Sequence, residues 1–132
     1  MMSKSIRILI IDDDLLSIAN ISQTLLLDGY QTIHATSQRG AIGAIRRDQP
    51  DLVICNLDGR KIDTHQLIQF VNAEREVRGI PFLFLVESHR MPDPAPEILG
   101  PKQYLKKPFT HEQLTSAVHD HLDRRRRSGP QK

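Results

Sequence analysis

Short continuous apolar runs alternate along this chain with longer stretches whose apolar residues recur at helical spacing. Ile6 to Ile11 is a β-branched run, unbroken rather than alternating, as expected of a strand covered on both faces. Asp12-Asp13-Asp14 closes it. Leu15, Ile18, Ala19, Ser22, Leu25 and Leu26 then recur as the inner face of a helix would, and Gly29 is placed to stop that helix. Tyr30 to Ala35 alternates weakly and predicts a second strand. Ser37 is placed to cap a helix through Arg47 that turns Ala41, Ala44 and Ile45 inward, although Gly43 lowers its helical propensity.

The third run, Asp51 to Asn56, is opened by Pro50 and delivers one polar side chain, Asn56, to its end. After a loop from Leu57 to Asp63, a helix is predicted with Leu67, Ile68, Val71, Ala73 and Val77 inward, ending at Gly79. Ile80 to Val86 is a fourth strand, with Pro81 tolerated near its start. The stretch Met91-Pro92-Asp93-Pro94-Ala95-Pro96 excludes a regular helix interior, because each Pro removes a donor and clashes with the preceding turn. The fourth helix is therefore expected to be shortened or broken, with one turn near Glu97 to Leu99. Lys102 to Lys106 reads as a short fifth strand, and Thr110 caps a last helix with Leu114, Ala117, Val118, His121 and Leu122 inward. Residues 1–123 make one domain on this reading, and residues 124–132, opening with Arg124 to Arg127, a basic flexible tail.

Such βα alternation predicts an α/β fold, a parallel sheet with helices on both faces and a ligand site beyond the carboxyl ends of the strands. The chain places Asp12 and Asp13 there after the first strand, Asn56 after the third, Val86 and Glu87 after the fourth, and Lys107 with Pro108 after the fifth.

Composition narrows the chemistry. The formal net charge of +2 comes from the terminal arginines, so no basic face spread over the fold marks a nucleic-acid binder. The single cysteine, Cys55, excludes an intramolecular disulfide and fits a reducing compartment, while the apolar segment at Ile8 to Ile11 is too short for a signal peptide or a membrane span. A cytoplasmic protein without a membrane partner is expected. The six histidines show no metal-ligand spacing, and His119 and His121, two apart on a helix, cannot share a face.

Three segments together carry a resemblance: Ile8-Leu9-Ile10-Ile11-Asp12-Asp13-Asp14, Pro50-Asp51-Leu52-Val53-Ile54-Cys55-Asn56, and Tyr104-Leu105-Lys106-Lys107-Pro108-Phe109. From about Arg7 to Leu122 the chain resembles the CheY-like receiver domain of bacterial two-component response regulators. The resemblance implies a five-stranded parallel sheet in flavodoxin-like order, 2-1-3-4-5, and a signalling module rather than an enzyme. Its acid pair, here Asp12 and Asp13, would hold magnesium; its lysine, here Lys107, would pair with a phosphoryl group; the bond before its proline, here Pro108, would be cis; its inward-turning aromatic would be Tyr104.

Two positions depart from that pattern. Asn56 stands where the resemblance implies the phosphoacceptor Asp, and Val86 where it implies a Thr or Ser that follows the phosphoryl group. A carboxamide oxygen is a poor nucleophile and cannot yield a stable acyl phosphate. Losing that charge leaves Asp13, the Asn56 carbonyl and the Asp58 main-chain carbonyl as ligands, so magnesium binding is expected to be weak or absent. The sequence thus predicts a pseudo-receiver acting by protein contact, with a histidine kinase, output domain or other regulator as partner and possible homodimers through the last strand and last helix. Two rivals stand beside it: a magnesium-dependent phosphoacceptor using Asp58 or one of the acid pair, and a binder of nucleic acid or anionic surfaces through Arg124 to Arg127.

Overall fold

The computed structural model describes residues 5–57, 62–73, 79–87 and 104–128. In chain order these form β1 (Arg7–Ile11), α1 (Leu15–Leu27), β2 (Gln31–Ala35), α2 (Gln38–Asp48), β3 (Leu52–Asn56), α3 (Thr64–Ala73), β4 (Phe82–Glu87), β5 (Tyr104–Lys107) and α4 (His111–Ser128). The strands make one parallel sheet in the order β2-β1-β3-β4-β5. That is the doubly wound arrangement expected from the alternation of patterns.

The unbroken apolar strands are explained by what covers them. Successive side chains on a strand face opposite ways, and here both ways lead into a core. Leu9, Ile11, Val53, Cys55, Phe82 and Phe84 pack with Ala41, Ala44 and Ile45 of α2 and Leu67 and Val71 of α3. Ile8, Ile10, Leu52, Ile54, Leu83 and Leu85 pack on the opposite face with Ile18, Ile21 and Leu25 of α1 and Leu114, Val118 and Leu122 of α4. With two layers of helix on one sheet, every strand end that carries a polar side chain emerges along the same rim.

Local chemistry sets the helix boundaries. The Asp14 carboxylate accepts from Leu16 N at 3.0 Å and starts α1, and Ser37 Oγ accepts from Gly40 N at 3.1 Å and starts α2. At the head of α4, Thr110 Oγ1 accepts from Gln113 N at 3.0 Å while Thr110 N donates to Gln113 Oε1 at 2.9 Å, a reciprocal capping box. Gly29 follows α1 at φ +91°, a left-handed conformation that side chains other than glycine's rarely adopt.

Four expectations shift. Leu15, Ala19 and Leu26 are exposed rather than inward, and Ile21 takes the buried place between Ile18 and Leu25. Ser22, half-buried, instead hydrogen-bonds Thr32 Oγ1 at 2.7 Å. Ala73 is exposed at the end of α3, while Val77 and the Ile68 side chain lie outside the described residues. The last helix continues to Ser128, so the boundary drawn after residue 123 falls inside it and Arg124 to Arg127 are helical. Arginine is a good helix former whose charge is favoured near a helix C-terminus, so a basic run there extends the helix. The shortened or broken fourth helix was expected in residues 88–103, which lie outside the described ones.

The α4 capping box yields a direct prediction. Thr110→Ala removes one cap acceptor and should lower the unfolding free energy by about 1 kcal/mol, read as a shift in denaturant midpoint at unchanged slope; a shift of zero would mean α4 is held by its packing alone.

Candidate functional site

Three strands deliver the site. β1 ends at Ile11, so Asp12 follows directly; its backbone N donates to the carbonyl of Ala35, at the end of β2, at 3.1 Å, and its side chain is fully buried. β3 ends on Asn56, also buried. β5 ends on Lys107, which pairs in register with Glu87 of β4, and the Lys107–Pro108 bond is cis.

Their side chains meet in one chain of hydrogen bonds. Lys107 Nζ donates to Asn56 Oδ1 at 2.7 Å, and Asn56 Nδ2 donates to Asp12 Oδ1 at 3.1 Å. Asp12 Oδ1 also accepts from Asp14 N at 3.0 Å, which ties the site to the start of α1. An ammonium can only donate and a carboxylate can only accept, so the two neighbours fix which end of the amide faces which. Asparagine is suited to this place because it has one end of each kind.

The charge arithmetic follows from that geometry. A carboxylate at position 56 would still accept from Lys107, but its other oxygen would face Asp12 Oδ1 at about the amide's distance with no hydrogen between them. Like charges that close oppose each other's ionisation unless a cation or proton intervenes. The amide replaces the repulsion with a donated hydrogen bond. It thereby links the negative end of the pocket to the positive end through a neutral group.

Other expected members occupy distinct places. Asp13 is half-buried beside Asp12, and Asp58 lies outside the described residues. Val86 is buried with 1% of its surface exposed and pairs in register with Lys106. Tyr104 packs its ring on Phe84, centroids 6.0 Å apart, against the core that α2 and α3 cover. Among the described residues its hydroxyl is buried without a hydrogen-bond partner, and burial pushes the phenol above its usual range. Sequence reasoning named Asp12, Asn56 and Lys107 but missed two positioning roles, the Ala35 carbonyl and Asp14. Asp14 was recoverable, since an Asp just before the first helical leucine is an N-cap signal.

Residues 8–119 match the family model of the response regulator receiver domain, and the chain belongs to that family. It is 26% identical over 122 residues to protein PilG of Pseudomonas aeruginosa, covering 91% of this chain and 90% of that one. It is 31% identical over 121 residues to the transcriptional regulatory protein PcoR of Escherichia coli, covering 91% of this chain and 53% of PcoR. It spans 48% of ycf27 of Porphyridium aerugineum, named as a transcriptional regulator, and 28% of GlrR of Escherichia coli. Among solved structures, a response regulator receiver domain protein from Clostridium thermocellum superposes with a TM-score of 0.79 at 23% identity, covering 94% of this chain and 99% of that one. That likeness concerns the fold. No helix among the described residues is long and apolar enough to cross a membrane.

The magnesium ion implied by the family fits these residues poorly. The oxygen that β3 offers already accepts the Lys107 ammonium, and the nitrogen beside it presents hydrogens toward Asp12. Among the described residues no group of three or more acids, histidines or cysteines converges on a common point. The second oxygen of Asp12, buried without a hydrogen-bond partner among those residues, is an available acceptor, but with an amide in place of a carboxylate at the end of β3 the site makes a weaker offer to a hard divalent ion.

These contacts make two predictions. Asn56→Asp should destabilise the magnesium-free protein by about 1–3 kcal/mol, and magnesium should restore part of the loss by binding the folded state. Melts of the variant with and without the ion decide, and an unchanged magnesium-free midpoint would contradict the bridging role. Tyr104→Phe deletes a buried hydroxyl that has no partner among the described residues, so it should leave stability unchanged or raise it by up to about 1 kcal/mol. The raised phenol makes the folded state favour the neutral form, a contribution present below the unfolded tyrosine range and lost as pH rises through the folded one. The variant should therefore resist alkaline unfolding better than the unmodified protein in melts above about pH 10.

Proposed function

We propose that this receiver domain signals through protein contacts and is not switched by aspartyl phosphorylation. The observation that carries the reading is the Asn56 amide at the end of β3, held between Lys107 and Asp12. Phosphoryl acceptance needs a carboxylate oxygen free to attack; here the group in that place is an amide whose oxygen is already committed to an ammonium. Val86 supports the reading from the next strand. A buried valine has no hydroxyl with which to follow a phosphoryl oxygen, so the relay from the pocket to Tyr104 lacks its intermediate group.

On this reading the domain is a binding module rather than an enzyme, supported by the Asn56 amide standing at the end of β3 between Lys107 and Asp12. Its partners belong to two-component signalling in chemical class: a histidine kinase, an output domain or a further regulator that reads the domain's surface. With the pocket's charges linked by hydrogen bonds at rest, the surface such a partner meets is constitutive, set by the amount of the domain present and not by its modification. Of the acids a magnesium-dependent acceptor could use instead, Asp12 is disfavoured, being buried and already accepting two hydrogen bonds, while Asp58 lies outside the described residues.

Incubation with magnesium and a small-molecule phosphodonor, followed by intact-mass measurement, tests the proposal. The mass should not change, and amide NMR spectra with magnesium and beryllofluoride should overlay those without. A phosphoryl adduct on any pocket acid, or saturable shifts around Asp13 and Lys107, would overturn it.

A further inference from the structure

Helix α1 carries a second apolar face that the domain's own core leaves uncovered. Its inner face is Ile18, Ile21 and Leu25. On the other side, Leu15, Leu16, Leu26 and Leu27 are 67, 70, 56 and 75% exposed, and they are the exposed large hydrophobic residues of the whole described structure. All four lie on one helix. That helix, Leu15–Leu27, contains no charged residue, whereas α2 carries Arg39, Arg46, Arg47 and Asp48 and α4 carries Glu112, Asp120 and Asp123. An ordinary solvent-facing helix surface is charged, so this one is unusual in composition as well as exposure.

The positions of the four leucines select the occupant. At 3.6 residues per turn, residues eleven apart fall within about 20° of each other around the axis. Leu15 and Leu26 therefore form one row, Leu16 and Leu27 a parallel row about 100° away, and each row has a leucine at both ends of the helix. A two-fold axis across the middle of the helix, near Ile21, carries each row onto itself with its ends exchanged. Leu15 then meets Leu26 of a second copy, Leu16 meets its Leu27, and the exposed Ala19 and Gln23 fall at the centre, where a small residue lets the helices approach. This is the self-complementarity an isologous interface requires. The bounding acids do not oppose it: Asp14 is turned onto its own Leu16 N, and Asp28 faces His111 of α4 at 3.7 Å.

We infer that two copies of this chain pair through antiparallel α1 helices, Leu15 against Leu26 and Leu16 against Leu27 of the second copy. The interface is separate from the β5 and α4 face that the family resemblance implies for pairing. A contact confined to one face of a helix about 20 Å long is small beside the roughly 1,600 Å² of stable complexes, so the dimer is a weak and reversible one.

A charge exchange on the full chain tests both the face and its direction. Leu16→Glu and Leu27→Lys each sit at the end of the helix that favours the added charge, so neither should unfold the domain; circular dichroism melts verify this. Sedimentation equilibrium should find the unmodified chain in reversible dimer exchange, and each single variant should weaken association at least about tenfold. The double variant should regain it. In antiparallel pairing the carboxylate introduced by Leu16→Glu in one copy faces the ammonium introduced by Leu27→Lys in the other, whereas within one chain the two positions lie about 16 Å apart. Monomeric behaviour of the unmodified chain up to about 1 mM, as expected if a different protein covers α1, would overturn the inference. So would dimers indifferent to Leu16→Glu, which would place the contact elsewhere. A double variant that stays as weak as the singles would exclude the antiparallel arrangement.

Discussion

The pocket of this domain depends on one amide with two different ends. Asn56 gives its oxygen to Lys107 and its hydrogens to Asp12, and so joins a buried carboxylate to an ammonium across three strands. In the receiver family a carboxylate is implied at that place, and the crowding it creates with the acid pair calls for a metal ion. Here the neutral bridge relieves the crowding internally. On the proposed function, the amide that leaves β3 without a carboxylate nucleophile also leaves less reason to recruit the ion, so the two departures share one physical cause.

The consequences spread outward through the strands. Asp12 is anchored by the Ala35 carbonyl and by Asp14 N, so the bridge also steadies the turn from β1 into α1. Val86 lies in the next strand with nothing polar to offer, and Tyr104 rests on Phe84 with its hydroxyl unpaired among the described residues. On the proposed function, information leaves this domain by surface contact, and the uncharged outer face of α1 begins two residues after the Asp13 that borders the pocket.

Much of the fold was legible in the sequence because the signals were redundant. Ile8 to Ile11, Leu52 to Cys55 and Leu83 to Val86 are unbroken apolar runs that only a sheet covered on both faces can bury. The rule placing ligands at strand ends then named Asp12, Asn56 and Lys107 without coordinates. Where the reading went astray, the signal itself was ambiguous. Helix α1 has leucines on two faces, so periodicity alone put Leu15 and Leu26 inward in place of Ile21. Arg124 to Arg127 looked like a tail because a charge run carries no apolar period, yet arginine continues a helix readily. The bridge was not legible at all: sequence shows an amide, but which group meets each end depends on how β1, β3 and β5 are brought together.

That Asn56 satisfies the pocket without a metal is tested most directly by melting the unmodified protein after chelation and again across a magnesium titration to about 10 mM, with calcium as the control for ionic strength. A ligand that binds the folded state raises the midpoint as it saturates its site. With the amide bridge in place, no magnesium-specific change in the midpoint is expected. A saturable rise with magnesium that calcium does not reproduce would contradict the bridging role, since it would show that the pocket still holds the ion the amide is argued to replace.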